Sequence, residues 1–122
     1  MIDKEFATAD EALYDVGPGA SIMIGGFVAA GHPATLVYAL KRRGTTGLTT
    51  ISNNVGFGDV IDELCEAHQI RRVVASFAIR ASGARRSRVE EQYRRGAVEL
   101  EIVPQGTLAE RIRAGGAGIG VF

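Results

Sequence analysis

Three short segments of the sequence carry residue types that suit a binding site for a small anion or a polarised carbonyl group. Gly25-Gly26-Phe27 follows an apolar run, and paired glycines let the backbone approach a ligand that a Cβ would hold off. Asn53-Asn54 and Gln105-Gly106 follow two further apolar runs. The neutral amides of Asn and Gln both donate and accept hydrogen bonds. The three segments are therefore candidates for one ligand site.

The glycine segment lies between a predicted strand, residues 21–24, and a predicted helix from Pro33 to about residue 43. Proline suits the first helical position, where its missing N–H costs nothing, and Gly44 suits the end of the helix. The free N–H groups at the start of that helix would point back toward the glycine turn, as in an anion site. Helical spacing predicts the buried face as Leu36, Val37 and Leu40.

Two further helices have the capping-box pattern at their start. Thr8 with Glu11 introduces a helix over residues 9–16, and Thr107 with Glu110 introduces one over residues 107–114. We predict two more helices, over residues 59–68 and 89–95. The helix over residues 59–68 would bury one face, formed by Val60, Ile61, Leu64, Cys65 and His68.

Three segments besides residues 21–24 have the composition of strands. Residues 48–52 are rich in β-branched side chains, and we place Asn53-Asn54 in the loop that follows. Residues 72–77 contain a continuous apolar run, typical of a sheet covered on both faces. Val98, Leu100 and Ile102 alternate with glutamates, which is the period of a half-buried strand. Residues 78–88, rich in glycine, serine and arginine, are predicted to be an exposed excursion.

Helices and strands thus alternate along the chain, which predicts an α/β fold in a single domain over residues 1–122. The expected architecture is an open, mainly parallel sheet with helices on both faces. Right-handed crossovers put the carboxyl ends of parallel strands on one rim, where ligands bind in open α/β sheets. Because all three candidate segments follow strand ends, we expect them to meet at that rim.

The composition argues against several classes of protein. Fourteen basic residues balance fourteen acidic ones, which disfavours nucleic-acid and membrane-surface partners. The N-terminal residues have no apolar signal core, and no window is long enough to span a bilayer. Cys65 is the single cysteine, so no intrachain disulfide forms and a cytoplasmic location is expected.

Each candidate residue also has a purely structural interpretation. Gly25-Gly26 could form a tight turn without a ligand, and Asn53-Asn54 could form a turn because Asn tolerates a left-handed backbone. Gln105 could bond its own backbone at the entry to a helix. With all three segments present, we favour the ligand site.

Other reactive residue types lack the neighbours that a site needs. Glu110 lies in a predicted helix among arginines, where a structural role is favoured over that of a nucleophile. Cys65 lies on an apolar helix face and is predicted to be a core residue. His32 and His68 are too isolated for a metal site, so none is predicted. The arginines at positions 71, 72, 80, 85, 86, 88, 94 and 95 form a stripe interrupted by glutamates, which indicates a solvated face or a subunit contact.

The glycine segment, within residues 24–33, resembles the glycine signature of the family I coenzyme A transferases. Residues 51–56 and 103–119 are similar to two further blocks of that family, and the similarity covers nearly the whole chain in order. The match is best to the A subunit of the 3-oxoacid coenzyme A transferases, which act with succinyl-CoA and acetoacetate or 3-oxoadipate. The resemblance implies the fold that these transferases share with NagB-like proteins. It also implies that this chain is the N-terminal part of a longer A subunit.

The resemblance further implies that the chemistry is divided between two subunits. In the family the nucleophile is a glutamate of the B subunit, which attacks the acyl-CoA thioester and then carries CoA as a glutamyl thioester. We therefore assign no catalytic residue to this chain, and no cofactor beyond the coenzyme A thioester, which is a substrate. The expected assembly is a hetero-oligomer in which this chain supplies a wall of the acyl site. Its substrate-binding residues would be Gly25, Gly26, Phe27, Asn53, Asn54, Gln105 and Gly106.

The chain departs from the family pattern in three places. The family often has a small or apolar residue where His32 stands and commonly glycine where Val28 stands, and residues 78–88 match poorly. Two other functions stay open: a hydrolase or ring-opening subunit of the same fold, and a non-catalytic assembly module. Thioester loss without an acceptor acid would indicate the first. Loss of activity on replacing Gln105 or Asn53 would argue against the second.

Overall fold

The computed structural model describes residues 2–79 and 85–120. Within them, four parallel strands form one open sheet whose spatial order follows the chain. The alternation of strands and helices is confirmed, and with it the predicted α/β class. The strands are β1 (Ser21–Ile24), β2 (Leu48–Asn54), β3 (Ile70–Phe77) and β4 (Glu99–Ile102), and the helices are α1 (Ala9–Ala12), α2 (Ala34–Arg43), α3 (Asp62–Glu66), α4 (Arg88–Arg94) and α5 (Gln105–Gly116).

Most of the helices cover one face of the sheet. Because each strand lies beside the next one in the chain, right-handed crossovers bring α2, α3 and α4 to the same side. The apolar core lies there, where Leu40 of α2, Leu64 of α3 and Val89 of α4 form one buried cluster with Val73 of β3.

Helix α5 lies on the opposite face. Met23 of β1 and Ile51 of β2 are partners in register, so their side chains share a face, and they line a groove with Leu108 and Ile112 of α5. The side chain of Met23 is 63% exposed, so the described residues cover this face only in part.

The first helix is shorter than its capping pattern predicts. Thr8 caps it as expected, because its Oγ1 accepts a hydrogen bond from the N–H of Glu11 at 3.1 Å. The helix nevertheless ends at Ala12 rather than at residue 16. Beyond that point, the N–H groups of Tyr14 and Val16 bond to carbonyls three residues back, which is not α-helical spacing.

Helix α2 begins one residue later than predicted. Pro33 precedes Ala34, the first helical residue, and does not itself occupy the first turn. Val37 and Leu40 are buried as expected, whereas Leu36 lies beside the buried stripe and is 37% exposed. The helix ends at the predicted glycine, Gly44, whose φ of 68° is in the left-handed region.

Helix α3 covers only half of its predicted span. The carboxylate of Asp59 accepts hydrogen bonds from the N–H groups of Phe57 and Ile61, at 3.0 and 3.2 Å. These bonds hold residues 57–61 in a turn, so the helix begins at Asp62. Of the predicted buried face, Ile61, Leu64 and Cys65 are buried, Val60 is half-buried and His68 is exposed.

Strands β2 and β3 are both longer than predicted because they pair with each other over their full lengths. Asn54 pairs with Phe77, so Asn53 and Asn54 end a strand and do not form the loop after it. At the other end Leu48 pairs with Ile70, and β3 therefore begins two residues before the predicted start.

The segment predicted as an exposed excursion is anchored at both ends. Residues 80–84 lie outside the described part of the chain. Ala78 and Ser87 are buried rather than exposed. Ser87 caps α4 by accepting a hydrogen bond from the N–H of Glu90 at 3.3 Å, which begins the helix at Arg88.

The last strand and helix differ from prediction at their boundaries. The predicted alternation of buried and exposed side chains does not hold to the end of β4. Ile102, predicted to be buried, is 50% exposed because β4 is the edge strand of the described sheet. Helix α5 begins at Gln105, two residues before Thr107, so the predicted capping box does not form. Glu110 instead pairs with Arg113 at 2.8 Å on the surface of α5.

Candidate functional site

The three candidate segments meet at one rim of the sheet. All four strands are parallel, so their carboxyl ends share an edge. The glycine segment follows β1, the two asparagines end β2, and Gln105 opens α5 shortly after β4. Side chains or backbone from all three segments line common cavities there. The predicted convergence is therefore present in the structure.

The glycine segment forms a tight turn that closes on itself. Phe27 and Ala30 exchange two backbone hydrogen bonds, each of 2.9 Å. Between them Val28 has a φ of 53°, which is unusual for a β-branched residue. Such strain persists only where surrounding contacts hold the backbone in place.

Asn54 provides most of those contacts. Its Oδ1 accepts a hydrogen bond from the N–H of Val28 at 2.7 Å, and its Nδ2 donates to the carbonyl of Val28 at 3.1 Å. The same Nδ2 donates to Asp59 Oδ2 at 3.1 Å. Asn54 is 2% exposed, and its amide is fully engaged within the protein. The geometry therefore gives Asn54 the part of a residue that positions the turn, and its predicted contact with substrate stays a prediction.

His32, to which the sequence pattern assigned no function, makes a further contact with the turn. Its Nε2 lies 2.8 Å from the carbonyl oxygen of Val28. Its ring also packs against Gly26, where the Cβ of any other residue would lie 2.5 Å from the ring. Gly26 has a φ of 128°, a second reason why this position needs glycine. In the sequence, His32 stood out because the family often has a small or apolar residue at that position.

A chain of amide hydrogen bonds joins the remaining candidates. Gln105 Nε2 donates to Asn53 Oδ1 at 2.5 Å, across the rim from α5 to β2. Asn53 Nδ2 in turn donates to Asn54 Oδ1 at 3.0 Å. These hydrogen bonds connect the start of α5 through β2 to the turn after β1, so they join all three candidate segments.

The pair formed by Asn53 and Gln105 separates two cavities. The first, which we call the glycine groove, has a volume of about 390 Å³ and is lined by Gly25 and Gly26 together with apolar residues of β1, β2 and α5. The second, which we call the aromatic cavity, has a volume of about 310 Å³. Its lining consists of Phe27, Val28, Asn53, Asn54, Phe57, Phe77 and Gln105.

Several hydrogen-bond donors remain available to a ligand. Among the described residues, neither the N–H of Gly25 nor that of Gly26 has a hydrogen-bond partner. The N–H of Phe27 is bonded within the turn, so Phe27 contributes its ring. Gly106 lies in the first turn of α5 but lines neither cavity, and its predicted contact with substrate stays a prediction. The N–H groups of Gly25 and Gly26 can hold a carboxylate or a carbonyl oxygen as neutral donors.

Many of the described charged side chains on the sheet and helices are paired with one another. Glu101 on β4 lies 2.7 Å from Arg111 and 2.5 Å from Arg72, and these two hydrogen-bonded guanidinium groups lower its pKa. In the predicted basic stripe, the arginines at positions 71, 72, 86, 88 and 94 form ion pairs, such as that of Arg88 with Glu66 at 3.2 Å, and position 80 lies outside the described residues. The two predicted parts of the stripe, a solvated face or a subunit contact, stay predictions.

Cys65 lies in the core, and a separate charged cavity lies between α3 and α4. Burial raises the pKa of the Cys65 thiol, as do the nearby carboxylates of Asp62 and Asp59, so the residue is a core side chain as predicted. The cavity, of about 500 Å³, is lined by acidic residues and arginines that neutralise each other, such as Arg88 and Glu66.

The structure is an open parallel α/β sheet with glycines and neutral amides at the carboxyl rim. Many ligand-binding proteins share this architecture. Comparison with known proteins narrows that class. The family model described as coenzyme A transferase matches residues 6–122, and the chain belongs to that family. No helix in residues 2–79 and 85–120 has the length and apolar character needed to cross a membrane.

Several curated relatives are similar over nearly the whole chain. The A subunit of the 3-oxoadipate CoA-transferase of Acinetobacter baylyi is 46% identical over 98% of this chain and 52% of its own length. The corresponding protein of Pseudomonas putida is 43% identical, over 100% of this chain and 52% of its own length. The A subunit of a probable succinyl-CoA:3-ketoacid coenzyme A transferase of Mycobacterium tuberculosis is 43% identical over 99% of this chain and 47% of its own length. The chain spans about half the length of these relatives.

Solved structures support the fold. Glutaconate coenzyme A-transferase from Acidaminococcus fermentans superposes with a TM-score of 0.79, at 21% identity over 98% of this chain and 38% of that one. A variant of the decarboxylase AibA/AibB superposes with a TM-score of 0.78, at 22% identity over 94% of this chain and 44% of that one. One fold therefore carries different reactions, and function has to be argued from the site.

Proposed function

We propose that this chain forms part of the A subunit of a coenzyme A transferase that moves CoA from an acyl-CoA, such as succinyl-CoA, to a short 3-oxoacid. The observation that carries the proposal is the rim, where unpaired glycine N–H groups lie beside the pair formed by Asn53 and Gln105. The names of relatives 43–46% identical to the chain support the same reaction.

The reaction needs a carboxylate nucleophile, which we assign to a glutamate of a B-type partner. That carboxylate attacks the thioester carbonyl of the acyl-CoA, forming a mixed anhydride and releasing the CoA thiolate. The thiolate attacks the glutamyl carbonyl, giving a glutamyl-CoA thioester and the free acid. The carboxylate of the 3-oxoacid then displaces the thiolate to form a second anhydride. Thiolate attack on the 3-oxoacyl carbonyl yields 3-oxoacyl-CoA and regenerates the glutamate.

This chain would supply binding and orientation. The N–H groups of Gly25 and Gly26 and the amide of Gln105 offer neutral donors to the oxygens of the acid. An arginine at the same place would bind the carboxylate strongly in the ground state, which gains nothing in the chemical step. Neutral donors also leave the nucleophilic carboxylate of the partner free to react. We expect no cofactor beyond the coenzyme A thioester.

We assign the activity to a hetero-oligomer, because the relatives are named as A subunits. Cys65 is free and buried in the core, and we expect a reducing, cytoplasmic location for the enzyme. The isolated chain would bind substrate weakly and transfer nothing.

The test is a transfer assay on the natural polypeptide that carries this chain, purified with its B-type partner. Succinyl-CoA and acetoacetate are expected to give succinate and acetoacetyl-CoA in equal amounts, and each polypeptide alone should be inactive. Thioester loss without an acceptor acid would identify a hydrolase instead. Full activity from this chain alone would contradict the division of labour.

A further inference from the structure

We propose that the aromatic cavity binds the hydrocarbon tail of a monocarboxylic 3-oxoacid, so that the preferred acceptor has an unbranched tail longer than a methyl group. The inference rests on the proposed function and specifies its substrate. It differs from the substrate in the names of the A. baylyi and P. putida relatives, since 3-oxoadipate carries a second carboxylate.

The cavity has the lining of an apolar binding site. Three phenylalanines, at positions 27, 57 and 77, contribute to it together with Val28. Phe27 is 62% exposed and Phe77 is 48% exposed, so their rings present apolar surface that an incoming tail would bury. Each buried methylene contributes enough free energy for a three- to four-fold gain in binding, to within about a factor of two. The cavity volume of about 310 Å³ far exceeds that of one methyl group.

The charges around the cavity disfavour a second carboxylate in it. None of the described lining residues carries a charge. Behind the cavity lining lies the carboxylate of Asp59, which is buried and accepts a hydrogen bond from the lining residue Asn54 at 3.1 Å. A terminal carboxylate in the cavity would lose its hydration without gaining a cationic partner among the described lining residues, and would face the negative charge of Asp59.

The polar groups fix the direction in which the acid would lie. Asn53 and Gln105 form the wall shared by the glycine groove and the aromatic cavity. The carboxylate and the 3-oxo group would lie against this wall and the N–H groups of Gly25 and Gly26. The tail then extends toward Phe57 and Phe77.

The experiment measures kcat/KM for three acceptors with the complete A and B polypeptides: acetoacetate, 3-oxohexanoate and 3-oxoadipate. The last two share a carbon skeleton and differ only in a terminal methyl or carboxylate group. We expect kcat/KM for 3-oxohexanoate to be about ten-fold higher than for acetoacetate. It should be at least about ten-fold higher than for 3-oxoadipate. Equal or better use of 3-oxoadipate would overturn the inference while leaving the proposed function standing. No transfer to any of the three acids would instead refute the proposed function.

Two variants locate the specificity in the cavity. Phe77→Ser should reduce the advantage of 3-oxohexanoate over acetoacetate to about three-fold or less. Phe77→Arg should improve 3-oxoadipate relative to 3-oxohexanoate at least about ten-fold, by giving the second carboxylate a partner. Both changes are at a half-exposed side chain, so the fold should tolerate them. Tyr93→Ser, at a comparably exposed aromatic on α4 outside the cavity, is the control and should leave both ratios unchanged. Unchanged ratios in the Phe77 variants would show that the tail binds elsewhere.

Discussion

His32 Nε2 lies 2.8 Å from the carbonyl oxygen of Val28, a residue whose own φ is 53°. A carbonyl oxygen only accepts, so Nε2 carries the proton in this contact. A left-handed backbone costs a non-glycine residue about 1–2 kcal/mol, and a β-branched side chain such as that of Val28 fits it poorly. We interpret the two residues as a compensating pair, in which the imidazole stabilises a turn that a valine strains.

The compensation predicts energetic coupling between positions 28 and 32. His32→Ala should lower the free energy of unfolding by about 1 kcal/mol, the usual value of one hydrogen bond. Val28→Gly should change it by less than about 1 kcal/mol, because relief of strain is offset by the entropy of glycine. In the Val28→Gly background, His32→Ala should cost less than half as much as in the parent. Urea denaturation of the four proteins measures this cycle.

A second histidine offers the matched control for that cycle. His68 is exposed and lies at the end of α3, away from the turn, so His68→Ala and Val28→Gly should be additive. Additivity of the changes at positions 28 and 32 as well would show that the two residues do not compensate each other.

Asn54 is predicted to matter for stability more than its neighbour. Asn54→Ala removes the partners of both backbone groups of Val28 and one partner of Asp59. Stranding such buried groups should lower the free energy of unfolding by about 3 kcal/mol. Asn53→Ala, at a half-buried position with fewer hydrogen bonds, should cost about 1 kcal/mol. Similar denaturation midpoints for the two variants would contradict the positioning role of Asn54.

Gln105 is predicted to matter for activity and not for stability. Its side chain is exposed and hydrogen-bonds the amide of Asn53, so Gln105→Ala should change the free energy of unfolding by less than about 0.5 kcal/mol. Losing a hydrogen bond to a charged or polarised oxygen of the acid should lower kcat/KM about ten- to hundred-fold. Thr107→Ala, in the same turn of α5 and outside both cavities, is the control. A Gln105→Ala enzyme with parental kcat/KM would remove Gln105 from the site.

Glu101 gives the stability a predictable dependence on pH. Hydrogen bonds from Arg111 and then Arg72 lower its folded-state pKa below the ordinary value of 4.5. Its contribution to the free energy of unfolding is therefore fully present above pH 4.5 and is lost as the pH falls through the lowered folded-state pKa. Denaturation at several pH values should show the parent more stable than Glu101→Gln near neutrality, with the difference shrinking in acid. Glu99→Gln, whose carboxylate lies 3.9 Å from Arg71 on the surface, is the matched control. A constant difference across that range would contradict the assignment.

The sequence predicted the alternation of elements and the convergence of the rim because both follow from local patterns. Apolar runs and glycine positions place the strands, and parallel strands share a carboxyl edge. Helix boundaries were missed where a distant or neighbouring side chain decides them. Asp59 shortens α3 by binding backbone N–H groups, which competes with helix formation in a way that periodicity does not reveal.

The candidate site was predicted in its residues but not in their division of labour. Asn53 and Asn54 are equivalent in the sequence, yet alternation along β2 turns one toward Gln105 and the other into the core. The parts played by His32 and Asp59 depend on contacts with the turn after β1 and with Asn54, which spacing along the chain does not specify.

The central claim is that this chain binds the acid while the nucleophile belongs to the partner. The most direct measurement is peptide mapping by mass spectrometry after the complete A and B polypeptides are mixed with acyl-CoA alone. We predict a CoA thioester on a glutamate outside residues 1–122, which hydroxylamine removes, and slower formation of it with Gln105→Ala. A CoA adduct on a glutamate within residues 1–122, or the absence of any adduct in an enzyme that transfers CoA, would contradict the account.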